Sequence, residues 1–434
     1  MSELKPGATI RLKNGKSCIV KKELGRGGQG IVYLVGYDNG EYALKWYTEP
    51  TIANNRSFYK NLENNVNRVR PADNFLWPLA ITERQLESFG YVMELRPKDY
   101  YDMGEFLLGH THFESIHAQL NACLQLSAAF QKLHIIGYSY QDMNDGNFFI
   151  NPKTGDVLIC DNDNVSPNGT NSGIAGKAGY MAPEIVEGVK SPSIYTDNFS
   201  LAVCLFILIY MNRPFEGAWY LSCPCDNNPM MSKLLMGFNA VFIMDKENAK
   251  NRPVPGVHNN VIRRWPIYPE ILADAFCQCF SNEAIKDPTK RLMDKQWHEL
   301  LLQVRSMLVP CPKCKRYTFI EPEHHGKPCA WCKNPTSAVA TMKVGKYTIP
   351  LLDGQALYDC QVADNADFNV ISGKVMFKGE IGIMNVSNYL WTVTLPDGSS
   401  KVVQPGNGFP ARDGFRIKFG NQGETGEILN ENPF

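Results

Sequence analysis

The sequence has no apolar run long enough to cross a bilayer: the longest, Leu201 to Met211, covers about half of the roughly 20 residues a spanning helix needs. That run reads as a buried core helix, and no membrane partner is expected. Net charge is lacking too, with 44 Lys and Arg against 44 Asp and Glu. The chain therefore has no overall electrostatic reason to coat nucleic acid or an acidic membrane. The first residues, Met1 to Gly7, have no apolar segment of the secretory kind, so a cytoplasmic location is expected. Internal repeats and long low-complexity linkers are absent as well.

What is present is the composition of a folded protein, 44% hydrophobic and 20% charged, and 434 residues are too many for one ordinary domain. Nine of the thirteen cysteines are scattered (Cys18, Cys123, Cys160, Cys204, Cys223, Cys225, Cys277, Cys279, Cys360), and in a reducing compartment most are expected to be small buried hydrophobes. From Thr9 to Tyr47 apolar and polar residues alternate between glycines, the pattern of twisted antiparallel strands. From His117 to Leu308 helical spacing takes over, as in Leu120, Cys123, Leu124, Phe130 and Leu133, with short β-like pieces around Asn147 to Ile159. From Gly345 onward short strands alternate with turn pairs such as Asp353-Gly354 and Asp397-Gly398.

Leu24 to Tyr33 carries Gly25, Gly27, Gly28 and Gly30, and glycines at this spacing let backbone N–H groups approach phosphate oxygens. Dinucleotide-binding folds share the spacing but open a helix with it; here Ile31, Val32 and Tyr33 continue into a strand, which favours a hairpin lid. On the next strand Ala43 and Lys45 form an Ala-x-Lys, the lysine able to reach α- and β-phosphates and the alanine leaving room for adenine. Glu63, on a helical stretch, could aim the Lys45 ammonium or be an ordinary solvated glutamate. Asp142 and Asn147 stand five apart in Tyr140 to Asn147, a carboxylate and an amide on one loop. Asp161, in an Asp-rich turn, offers a hard oxygen suited to magnesium or serves only as capping and turn chemistry.

This ordered set, continued by Ala182-Pro183-Glu184, Asp197-Asn198-Phe199-Ser200 and Arg291, resembles the eukaryotic-like (Hanks-type) protein kinases over roughly residues 10–305. The resemblance implies ATP contacts from Gly25, Gly27, Gly28, Gly30, Val32, Ala43, Lys45, Glu63 and Phe149, with a hinge at Met93, Glu94 and Leu95. It further implies Mg2+ on Asn147 and Asp161, Asp142 as the base, a Glu184–Arg291 pair and Asp197 holding the catalytic loop. A protein substrate follows, Ser/Thr in type.

The departures are specific. Tyr140-Gln141 replaces His-Arg, removing the arginine that reads activation-loop phosphate, so switching at Ser166, Thr170 or Ser172 is not expected. Asn162-Asp163 replaces Phe-Gly, which argues against the usual flip of that segment. Asn144 stands where a lysine usually neutralises the transferred group, and Lys177 replaces a threonine on the opposite wall, where it could supply the missing catalytic charge or merely face solvent.

Cys311-x-x-Cys314 and Cys329-x-x-Cys332 are two knuckles at zinc-ribbon spacing, expected to hold a structural Zn2+ in a closed four-cysteine site, with His324 and His325 as loop residues. Two disulfides are the alternative, and they fit a reducing compartment poorly. The last segment faintly resembles a forkhead-associated β-sandwich, but Gly354-Gln355 and Ser372 to Val375 lack that family's arginine and histidine. The expected class is α+β: a bilobal kinase fold at 8–305 (lobes 8–95 and 96–305), a zinc ribbon at 309–335 and an all-β sandwich-like domain at 343–434. The whole arrangement resembles bacterial kinases of the tellurium-resistance-associated phosphorylation triads, implying a von Willebrand factor A protein and a metal-dependent protein phosphatase as partners. A pseudokinase scaffold, binding nucleotide and recruiting partners through its ribbon and β modules, is the alternative.

Overall fold

A computed structural model describes residues 3–171, 176–223, 229–321, 328–338, 340–363, 365 and 367–430; Ser172, Cys225, His324 and His325 lie outside them. The chain divides into two compact units. One comprises Met1–Glu114, Asn121–Val261 and Ala275–Trp297, and the other Ser115–Leu120, Ile262–Asp274 and His298–Phe434. The boundary expected near 305 therefore falls inside the second unit. Its cause is Arg305, which is buried, lies over the Tyr358 ring at 3.8 Å and donates to Asn369 Oδ1 at 3.2 Å, so the end of the helix Asp294–Ser306 packs with the residues after it.

The first unit opens with an antiparallel sheet of β1 (Thr9–Arg11), β2 (Ser17–Arg26), β3 (Gly30–Tyr37), β4 (Gly40–Tyr47), β5 (Ala80–Ile81) and β6 (Gly90–Met93) in the order β1-β2-β3-β4-β6-β5. Alternation along β4 sorts its side chains by face. Leu44 and Trp46 join Ile10, Val20, Ile31 and Val35 in one core cluster, while Ala43 and Tyr47 join Phe58, Tyr59, Leu62, Phe89 and Met93 in another. Gly30 is dictated by this pairing, since a Cβ there would meet the Trp46 carbonyl oxygen at 2.1 Å. The helix Arg56–Val66 starts where the Asn55 side chain accepts the Phe58 N–H at 3.0 Å, satisfying an otherwise unpaired first-turn donor.

Further on, the apolar run expected to be a core helix is the helix Ile194–Tyr210, buried from Thr196 to its end. Phe206 of that helix meets Phe242 and Phe276 at ring distances of 5.4 and 5.2 Å, and Phe276 meets Trp297 at 4.8 Å. A hairpin of Phe148–Ile150 and Val157–Ile159, in register Phe148↔Ile159, matters most for function. It sets the residue before its first strand, Asn147, beside the residues after its second.

In the second unit, Leu308–Pro310 pairs with Tyr317–Phe319, and two further sheets follow, of six and four antiparallel strands between Ala340 and Asn430. Met342, Ile349, Leu357, Val375, Ile383, Trp391, Ile417 and Phe419 are buried, with the Trp391 and Phe419 rings 4.9 Å apart edge to face. Of the described scattered cysteines, Cys18, Cys123, Cys204 and Cys279 are buried, whereas Cys160, Cys223, Cys277 and Cys360 are only half-buried, fewer in the core than expected. Cys160 and Cys223 directly follow a strand and a helix, while Cys277 and Cys360 lie within helices.

Buried His134 joins two distant parts of the first unit, Nδ1 facing Asp294 Oδ2 at 2.5 Å and Nε2 facing Asp197 Oδ2 at 3.1 Å. Burial opposes its charge, but the two carboxylates prevail and raise its pKa from 6.5 to about 9. A raised folded-state pKa stabilises fully below the unfolded value and is lost as pH climbs through the folded one. Unfolding free energy is therefore expected to fall by at most about 3 kcal/mol between pH 6.5 and 9.5. His134→Gln should flatten that slope in urea titrations at fixed pH values.

Candidate active site

Strand pairing brings the cleft residues together. β4 pairs with β3 through Val32↔Lys45 and with β6 through Ala43↔Met93, so Val32 lies opposite Lys45 and Met93 opposite Ala43, which shares a face of β4 with the lysine. Met93 is buried, whereas Glu94 and Leu95 are exposed and Glu94 pairs with Arg70 at 3.1 Å. The Arg96 guanidinium lies over the Phe149 ring at 3.9 Å. In the glycine-rich turn, Gly27 N–H donates to the Gly30 carbonyl at 2.9 Å. A Cβ at Gly25, Gly27 or Gly28 would meet nothing within 4 Å. Those three glycines answer to no neighbour in the chain and leave space open to a ligand, while Gly30 answers to packing.

Lys45 is 5% exposed. Its ammonium pairs with Asp161 Oδ1 at 3.1 Å and Asp163 Oδ2 at 2.9 Å, and donates to Gln29 Oε1 at 3.0 Å. Burial works against this charge, but the two aspartates outweigh it and hold the lysine protonated, above its ordinary pKa. Glu63 is not its partner, contrary to expectation. That carboxylate pairs with Lys13 and Lys60 at 2.5 and 2.8 Å. The helix buries Phe58, Tyr59 and Leu62, and Glu63, about 100° on from Leu62 and about 40° beyond Tyr59, sits at the edge of that face. Asp163 escaped the sequence reading, although an acid in place of the glycine of Asp-Phe-Gly was a visible signal.

The loop of residues 140–147 hangs from Asp197, whose carboxylate accepts the backbone N–H groups of Tyr140 and Gln141 at 2.5 and 3.1 Å. Tyr140, in the histidine position, is buried and its hydroxyl donates to the Cys160 carbonyl, next to Asp161. Gln141, in the arginine position, donates to the Thr170 carbonyl at 2.6 Å, so a neutral amide holds the following loop by its backbone. Ser166 is buried, and its strand Ser166–Pro167 pairs with Tyr138–Ser139.

Asp142 Oδ1 accepts from Asn144 Nδ2 at 3.1 Å, and Asn147 and Asn164 Nδ2 each stand 3.5 Å from Oδ2. Burial pushes the Asp142 carboxyl up to about 6, against the opposing hydrogen bonds from Asn144 and Asn147. Asn147 spends its Nδ2 on the Asp142 carbonyl at 2.8 Å, leaving Oδ1 as its oxygen for a cation, and its own carbonyl accepts the Cys160 N–H at 2.8 Å. Asp161 follows in the left-handed region at φ 50°. Two hard oxygen donors on adjoining strand ends fit magnesium.

Lys177 does not contact Asp142. Its ammonium pairs with Asp145, three residues along the same loop, and Arg213 pairs with the other Asp145 oxygen at 3.3 Å. Glu184 and Arg291, both buried, form a two-pronged pair with both contacts at 2.8 Å.

In the second unit, the sulfurs of Cys311, Cys314, Cys329 and Cys332 all lie within 4.8 Å of one another. Cys311 Sγ is 3.7 Å from Cys332 Sγ, and Cys314 Sγ 3.8 Å from Cys329 Sγ. Those separations are far beyond a disulfide bond of about 2.05 Å. They match the edge of about 3.8 Å of a tetrahedron with metal–sulfur bonds of about 2.3 Å. Both knuckles close alike, Lys315 N–H donating to the Cys311 carbonyl and Lys333 N–H to the Cys329 carbonyl, with both lysines at positive φ. The group could hold a metal.

The sheet and helices of the first unit, its lysine–aspartate pair and the loop carrying Asp142 and Asn147 point to a protein-kinase-like domain. A family model described as the protein kinase domain matches residues 18–293, and the chain belongs to that family. It is 26% identical over 205 residues to the serine/threonine-protein kinase Sgk1 of Danio rerio, covering 45% of each chain. It is 23% identical over 242 residues to the serine/threonine-protein kinase ppk22 of Schizosaccharomyces pombe, covering 45% of this chain and 43% of that one. Against the leucine-rich repeat serine/threonine-protein kinase 1 of Caenorhabditis elegans the identity is 23% over 343 residues, 66% of this chain and 14% of the relative. The chain thus spans about half or less of the length of these curated relatives.

Purified chain should carry about one tightly held metal ion, counted by atomic emission after gel filtration. Cys329→Ser with Cys332→Ser should abolish it and lower the thermal midpoint of the second unit.

Proposed function

We propose that the chain is an ATP- and Mg2+-dependent protein kinase that phosphorylates serine or threonine on a protein partner. One observation carries this: Lys45, Asp161 and the loop of Asp142 and Asn147, three separate stretches of the chain, are joined through a short run of contacts. Lys45 touches Asp161 at 3.1 Å, the adjoining Cys160 N–H reaches the Asn147 carbonyl at 2.8 Å, and Asn147 reaches the Asp142 carbonyl at 2.8 Å.

In this reading the Lys45 ammonium orients the α- and β-phosphates under the open glycines of the lid. Asn147 and Asp161 hold the metal through oxygen, and Mg2+ when bound neutralises charge on the phosphate oxygens. Asp142 takes the proton of the acceptor hydroxyl as its oxygen bonds to the γ-phosphorus and the bond to the ADP oxygen breaks. Asn144 is neutral, so Lys177, tethered to this loop by Asp145, supplies positive charge beside the acceptor.

The four cysteines form a closed zinc ribbon, with Zn2+ structural, since four thiolates leave no open position for substrate. The β-sandwich is a degenerate forkhead-associated-like module that docks protein. Supporting this, the Gln355 amide donates to the Ser306 carbonyl, and the Ser372 and Tyr389 hydroxyls both donate to Asp359, an acid that would repel phosphate. The whole-chain resemblance suggests cytoplasmic bacterial signalling with a von Willebrand factor A protein and a metal-dependent protein phosphatase, without nucleic acid or membrane. The scaffold alternative, a pseudokinase, rests on the replacements at Tyr140-Gln141, Asn144 and Asn162-Asp163.

Labelling of protein with Mg-ATP should fall at least about 100-fold in Asp142→Asn, with nucleotide affinity retained. Equal labelling in both would point to a contaminating kinase and favour the scaffold. Lys177→Met should lower kcat by about 10- to 100-fold with little change in nucleotide affinity; unchanged turnover removes Lys177 from the chemistry.

A further inference from the structure

Both carboxylates on Lys45 come from one short segment, and neither comes from the helix Arg56–Val66. Of the two, Asp161 is partly exposed and owes its oxygen to the metal in the reading above, whereas the Asp163 side chain has no exposed surface. A carboxylate with no access to water needs a cation and hydrogen bonds to remain charged there. Asp163 Oδ2 has both, the Lys45 ammonium at 2.9 Å and the hydroxyl of Tyr47, two residues along β4. Among the described residues, Lys45 is the cation with which Asp163 pairs.

The helix is fastened elsewhere. Asn61 and Asn65 each donate to the Val165 carbonyl at 2.8 Å, and Asn61 also to Ser166 Oγ at 3.1 Å. Between these points the turn is pinned again, Asn162 donating to the Leu76 and Ile159 carbonyls at 2.9 and 2.8 Å. The 161–166 segment is thus held on three sides, while Glu63 faces Lys13 and Lys60.

We propose that Asp163 is the positioning residue that fixes the Lys45 ammonium, so that the lysine is aligned by the metal-binding turn itself and not by a glutamate of the mobile-helix type. A kinase built this way cannot be switched by swinging that helix to make or break a lysine–glutamate pair. Helix and turn move, if at all, as one block through Asn61 and Asn65. The proposal rests on the kinase reading above for its consequence, and on the geometry alone for the pair.

A double-mutant cycle on the full chain tests it, with Kd for Mg-ATP and kcat measured for wild type, Asp163→Asn, Lys45→Met and the double variant. Asp163→Asn should raise Kd or lower kcat at least tenfold, and adding it to Lys45→Met should cost less than twofold more. Glu63→Gln should shift neither by more than twofold. Additive losses at Asp163 and Lys45, or a larger loss in Glu63→Gln than in Asp163→Asn, would overturn the assignment. Should Asp163→Asn not fold, Tyr47→Phe carries the test: at least a twofold weaker Mg-ATP complex supports the anchor, and none refutes it. The same cycle read as urea midpoints without nucleotide reports on the ion pair alone. Wild type that binds no nucleotide would therefore end the kinase reading without deciding the pair.

Discussion

A lysine ammonium that is almost wholly withdrawn from water constrains everything around it. Unpaired, such a charge would cost several kcal/mol or give up its proton. Lys45 avoids both because two aspartates of one turn lie within 3.1 Å of its Nζ. That demand fixes the turn against β4, the turn fixes Asp161 beside Asn147, and Asn147 grips the loop that carries Asp142. The glycine-rich hairpin is laid over the same amine through Gln29.

Away from the cleft the same physics is used for rigidity. Glu184 and Arg291 bury a full ion pair, and Arg291 spends further donors on the carbonyls of Ala284 and Ile285, so little of its hydrogen-bonding capacity is left unmet. Asp197 is shared between two backbone N–H groups and His134, whose second nitrogen is taken by Asp294. Such networks contribute modestly to net stability but are expensive to break in part, because each remaining member is left desolvated. They hold the loop of Asp142 and Asn147 in one geometry.

The altered motif residues fit this picture of a loop arranged without a phosphate. Where an arginine would wait for a phosphorylated side chain, Gln141 already holds a backbone carbonyl of the loop that phosphate would order. Where a histidine would sit, the Tyr140 ring stacks on Phe148 at 6.2 Å and its hydroxyl reaches the residue before Asp161. Neutral hydrogen bonds made on folding replace a charge-assisted one made on modification.

The sequence by itself determined which chemical groups the site holds and in what order they come. Spacing decides such things locally: alternation along β4 puts Ala43 and Lys45 on one face, five residues separate Asp142 from Asn147, and two Cys-x-x-Cys turns shape two knuckles. Long-range pairings written as paired motifs were legible too, as with Glu184 and Arg291. Tertiary structure alone decided which carboxylate meets Lys45. Glu63 and Asp163 are both acids at plausible distances along the chain, and the choice turned on Glu63 being taken up by Lys13 and Lys60 and on Asp163 being buried beside Tyr47. The seat of Lys177 on Asp145, the bridge through His134 and the grouping of Arg305 with the residues after it were likewise beyond the sequence. Each depends on where a side chain ends in space, and one-dimensional spacing carries no record of that.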